Sequence, residues 1–150
     1  MTVARPGAGT HDERPAPDVP SASPTRSRLA ATAGSALLDV IAILVFVGIG
    51  RSVHTDGVTV SGMASTAWPF LVGAAVGWLI GRGWRAPIAV VPTGLVVWLA
   101  GVALGMTLRV IAGQGTKVAF IAVALGFLGA ELLGWRCVPR LIRRASGRRD

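Results

Sequence analysis

The sequence predicts an all-α integral membrane protein, a bundle of four transmembrane helices. Three observations lead there. Of 150 residues, 52% are hydrophobic and only 15% charged, with a mean hydropathy of +0.61; soluble domains carry about 25% charged residues. The apolar residues gather in four runs, near 29–50, 64–80, 87–108 and 118–135. Each run has ~17–22 residues, enough at 1.5 Å per residue to cross about 30 Å of hydrocarbon. None alternates strictly between apolar and polar residues, which argues against barrel strands.

Residues 1–28 contain five of the nine prolines among Ala, Ser, Thr and mixed charges. Without apolar periodicity, this segment is expected to be a disordered tail. It has no short hydrophobic stretch before a small-residue cleavage site, so it does not read as a signal peptide. The first run ends at a hydrophilic loop, about 51–62, that contains His54, Thr55 and Asp56. Gly81-Arg82-Gly83-Trp84-Arg85 makes a tight basic turn after the second run. Pro87 is expected in the first turn of the third helix, where proline is tolerated, and Pro92 is expected to kink it. The loop Arg109 to Lys117 turns on Gly113-Gln114-Gly115, and residues 137–150 form a basic tail.

Charge sets orientation. Arg26 and Arg28, Arg82 and Arg85, and six arginines after Trp135 fall on one side; Arg51, Arg109 and Lys117 fall on the other. Positive residues mark the cytoplasm, so a multi-pass protein of the cell membrane with both termini cytoplasmic is expected. Trp84 and Trp135 would lie at the inner interface and Trp68 near the outer one. The net charge of +8 and the pI near 11.7 thus suit anionic membrane lipids. No helix-turn-helix or aromatic-basic motif points to nucleic acid. One cysteine, Cys137, excludes an intrachain disulfide; it reads as inert, with acylation the alternative.

Small residues recur every fourth position: Gly73, Gly77 and Gly81; Gly101 and Gly105; Ala122, Gly126, Ala130 and Gly134. Such stripes let helix backbones approach closely, which matters because lipid gives helices no hydrophobic reason to associate. They are expected to pack the bundle, or to seat a second copy of the chain or another membrane protein.

Two acids interrupt the runs. Asp39 lies inside GSALLDVIAILVFVGIG, with Thr32 and Ser35 on its face. Glu131 borders the stripe of the fourth run. A carboxylate at the centre of a span costs about 2.5–3.5 kcal/mol on insertion scales, so Asp39 is expected to face the bundle or to be neutral, and Glu131 to border the seam; a structural hydrogen bond between helices would account for either acid. They could share a proton, line a polar cavity, or pair with Arg82 or Arg85. On the outer side Arg51, His54, Asp56, Arg109, Gln114 and Lys117 could converge; capping helices and meeting lipid phosphates is the simplest use of the two arginines. One histidine and one aspartate do not make a metal site, and no triad, phosphate loop or Cys/His cluster is visible. No cofactor and no catalysis are therefore expected.

The segments LDVIAILVFVGIGRSVH, TAWPFLVGAAVGWLIGR, GMTLRVIAGQGTKVAF and ELLGWR match in order and spacing over about residues 35–136. They resemble domain-of-unknown-function family 3054, small actinobacterial membrane proteins. The resemblance implies a multi-span protein with no assigned activity, and recurrent positions at Asp39, Arg51, His54, Trp68, Pro69, Arg109, Gln114, Gly134, Trp135 and Arg136. The expected function is structural or partner-binding in the cell envelope. The alternative is a small oligomeric transporter or channel working through Asp39 and Glu131.

Overall fold

A computed structural model describes residues 24–52 and 59–146. Four long helices follow one another: α1 (Pro24–Ser52), α2 (Val60–Ile80), α3 (Leu95–Ile111) and α4 (Val118–Ser146). No strand occurs among the described residues, and four segments are long and apolar enough to cross a membrane. Much of the tail expected at 1–28 lies outside the described residues, but 24–28 already belong to α1. His54 and Asp56 also lie outside the described residues.

The core is built from one stripe per helix. Ala42, Ile43, Phe46 and Val47 of α1 meet Ala67, Phe70 and Ala74 of α2, Val97, Val102 and Met106 of α3, and Ala124, Leu128 and Leu132 of α4. Phe46 is the hub, with ring centroids 5.6 Å from Phe70, 6.0 Å from Phe120 and 5.8 Å from Phe127. The opposite face of α1, including Leu37, Ile41 and Val45, is exposed. Exposed apolar surface of this extent suits lipid, not water.

Helices α2 and α3 pack closest, backbone on backbone. A methyl added at Gly73 would stand 2.8 Å from the Ala100 carbonyl oxygen, and one at Gly77 would stand 2.7 Å from Val97 Cα. One at Gly105 would meet the Phe70 ring at 2.6 Å, whereas Gly101 has 3.8 Å to Ala74 N. Gly81 lies at the end of the same seam, 3.4 Å from Val96 by the same measure.

The fourth helix is turned differently from expectation. Ala122, Gly126, Ala130 and Gly134 are all exposed, and a methyl at Gly126 or Gly134 meets nothing within 4 Å. The inward face is Ala124, Leu128, Leu132 and Arg136. Two residues amount to about 200° around a helix of 3.6 residues per turn, so burying one series turns the other out. Gly129 supplies α4's close contact instead, against the indole of Trp98.

Two further differences concern prolines. Pro87 is not in a helical turn: after a short 3-10 turn at Gly83–Arg85 the chain runs irregularly, Val91 is extended, and regular α-helix starts at Leu95. The irregular stretch frees carbonyls that other groups use. Thr93 Oγ1 donates to Ala86 O at 2.9 Å, and Gly94 N donates to Ala89 O at 3.0 Å. Irregular backbone at membrane depth is tolerated where protein satisfies it. At the other end, 137–146 of the basic segment continue α4 as helix, with Pro139 inside it.

Candidate functional site

The bundle holds two polar clusters, one near each end. The first is centred on Asp39, which is 2% exposed. Its register explains why it points inward: Ser35, Asp39, Ala42, Ile43 and Phe46 repeat at helical spacing and all are buried. The partner is Arg136, at 0% exposure. Arg136 Nη1 donates to Asp39 Oδ1 at 2.6 Å and Nη2 donates to Oδ2 at 2.7 Å. This is the two-point geometry in which a guanidinium matches a carboxylate.

Two indoles complete the carboxylate's shell. Trp78 Nε1 donates to Oδ2 at 2.9 Å and Trp135 Nε1 donates to Oδ1 at 3.0 Å. Asp39 therefore accepts four hydrogen bonds from two helices. Arg136 gives two further donors to backbone: Nη1 to Leu132 O at 2.7 Å and Nε to Pro87 O at 3.3 Å. Its guanidinium also lies 4.4 Å from the Trp135 ring centroid. Close glycines make room for these groups. A methyl at Gly94 would stand 2.9 Å from Arg136 Cδ, and one at Gly83 would collide with the Trp78 ring.

Several expectations change here. Arg82 and Arg85 are exposed and neither pairs with Asp39. Trp135 turns its indole N–H inward, onto the Asp39 carboxylate. Glu131 does not join Asp39; it is half-buried, and its Oε2 has no hydrogen-bond partner among the described residues. Charge counting puts Arg136 at the boundary, but its register puts it inside. It continues the fourfold series Ala124, Leu128, Leu132, so it shares their buried face.

The second cluster lies twelve residues further along α1, about 18 Å. Arg109 Nη1 donates to Gln114 Oε1 at 2.9 Å, and its guanidinium lies 4.7 Å from the Phe120 ring centroid. Gln114 Nε2 in turn donates to Ser65 O at 2.7 Å. That carbonyl is free because Pro69, four residues on, has no N–H to offer it. Gly113 and Gly115, at φ +69° and +67°, hold the left-handed turns that place Gln114 between them. Arg51 Nη1 donates to Thr66 Oγ1 at 3.4 Å, and its guanidinium passes over Gly62, where any side chain would displace it. Arg51, Arg109 and Gln114 thus meet at one end of the bundle.

No group of three His, Cys, Asp or Glu among the described residues could hold a metal ion. Cys137 is a free, half-buried thiol.

Four apolar helices around one buried and one half-buried polar cluster define a small integral membrane bundle. The chain belongs to the family described as protein of unknown function (DUF3054), whose model matches residues 36–139, from α1 through the clamp residue Arg136. No curated protein and no solved structure matches it.

Proposed function

We propose that this protein is a non-catalytic, structural or partner-binding component of the cell envelope membrane, with both termini in the cytoplasm. The observation that carries the reading is the saturation of Asp39. A proton or cation carrier needs a carboxylate that can change partners. Asp39 is held by two guanidinium nitrogens and two indoles, and it joins α1 to α2 and α4. Its work is to fix the bundle, which leaves the surface for recognition. The outward series Ala122, Gly126, Ala130 and Gly134 is the face that suits a second helix.

Native mass spectrometry of the protein purified from its own host in mild detergent tests this. A stoichiometric second chain, or a homo-oligomer that crosslinks through Gly126→Cys in a Cys137→Ser background, supports the reading. A monomer that conducts ions in vesicles, with flux abolished by Asp39→Asn, overturns it.

The alternative of a small transporter retains one supporting observation, the buried oxygen of Glu131 that has no hydrogen-bond partner among the described residues. Under that alternative Glu131→Gln abolishes flux. Orientation has its own test: Val60→Cys, at an exposed position beyond the loop, reacts with an impermeant thiol reagent in intact cells if the termini are inside.

A further inference from the structure

The second polar cluster borders a cavity of about 480 Å³, within the size range of small-molecule sites. Its rim and its wall differ in kind. The rim carries Arg51, Arg109 and Lys117 with the hydroxyl of Thr66; the wall is Phe46, Val47, Phe120 and Val123. Three cations line it.

The two arginines are aimed rather than left free to sweep solvent. Gln114 and the Phe120 ring orient Arg109, and Thr66 receives Arg51 over the bare backbone of Gly62. Both stand in the last turn of their helices, where a cation already meets the C-terminal carbonyls favourably. That alone needs neither the sideways orientation nor the apolar wall. Arg109 Nε is also buried and has no hydrogen-bond partner among the described residues.

We propose that this cavity binds one anionic phospholipid from the leaflet opposite the termini, its phosphate between Arg51, Arg109 and Lys117 and one acyl chain against Phe46, Phe120 and Val123. Guanidinium groups match phosphate oxygens in fork geometry, and basic pockets between spans favour anionic headgroups. A free phosphate would satisfy the rim and leave the wall uncovered. A zwitterionic lipid would cover the wall but bring its own cation to a rim that already holds three. The site lies at the end of the bundle away from Asp39 and does not depend on the role proposed for that residue.

The test is native mass spectrometry of delipidated full-length protein titrated with phosphatidylglycerol, phosphatidylcholine or inorganic phosphate. The expected result is one retained phosphatidylglycerol per chain and no comparable retention of phosphatidylcholine. Arg51→Gln combined with Arg109→Gln should weaken retention at least about tenfold, the size of a lost charged hydrogen bond. Ala119→Phe fills the cavity without changing charge, and Lys117→Gln alters only an exposed rim residue. Both should keep wild-type helicity by circular dichroism and also lose retention, so they decide the matter if the double variant misfolds. Equal retention of phosphatidylcholine, full displacement by inorganic phosphate, or unchanged retention in the folded variants would overturn the proposal.

Discussion

Asp39 and Arg136, 97 residues apart in the chain, face each other in a two-point ion pair at 2.6 and 2.7 Å, deep in a bundle whose outer surface is hydrocarbon. Neither charge can reach water without moving a helix. Removing one partner strands the other, which costs about 3–5 kcal/mol for a buried pair. Asp39→Ala and Arg136→Ala should each lower stability by that order. Asp39→Leu combined with Arg136→Met should recover part of the loss, because no unpaired charge remains, although the indole N–H groups of Trp78 and Trp135 lose their acceptor. Thermal unfolding of the four proteins in one detergent checks this; a double variant no better than the worse single one would contradict it.

The indoles act through single hydrogen bonds to an ionised acceptor. Trp78→Phe and Trp135→Phe keep most of the ring volume and each delete one donor. Each should cost about 1.5–3 kcal/mol, the worth of a hydrogen bond to a charged group. Because both bonds end on the same carboxylate, the double variant should deviate from additivity. A double-mutant cycle by denaturant titration measures the coupling, and strict additivity would separate the two indoles energetically.

The fourfold glycines on α2 and those on α4 do different things, and substitution should separate them. Gly77→Val pushes a side chain into Val97 Cα and the backbone of α3, an overpacking that typically costs about 1–3 kcal/mol and occasionally more. Gly126→Val meets only open space, so the monomer's unfolding midpoint should hold or rise. If α4 seats a partner, Gly126→Val should also abolish its co-purification while leaving the fold intact. Unfolding midpoints of the two variants, with a pull-down of each, check both statements.

Much of this architecture is legible in sequence because the bilayer writes it there. Four hydrophobic runs fix the number and order of helices, and the spacing of Gly73, Gly77 and Gly105 carries the close approach of α2 to α3. The phase of α4 is less legible. Gly126 and Gly134 offer one face and Leu128 and Leu132 another, and hydropathy does not choose between them. What chooses is Arg136, a cation that counts as a boundary when charges are tallied and as a core residue when its register is followed. The irregular segment around Pro87 is hidden for a related reason. Its carbonyls are useful only once Arg136 is known to need an acceptor, a contact 49 residues away in sequence.

Arg109 and Gln114 are tied to α2 by one carbonyl, and that tie can be broken from either end. Pro69→Ala restores an N–H to the helix, and this N–H competes for Ser65 O with Gln114 Nε2. Within α2 the change should be neutral or stabilising, since proline is costly inside a helix. At the cluster it should act oppositely, loosening Gln114 and with it the orientation of Arg109 over Phe120. Gly115→Ala strikes the same turn from the other side, by placing a Cβ at a φ of +67°, at a cost of order 1–2 kcal/mol. Hydrogen exchange through residues 109–117 should rise in both variants, while exchange around Trp78 and Arg136 stays as in the wild type. Equal rises at both ends of the bundle would mean that the two polar clusters are one cooperative unit rather than two.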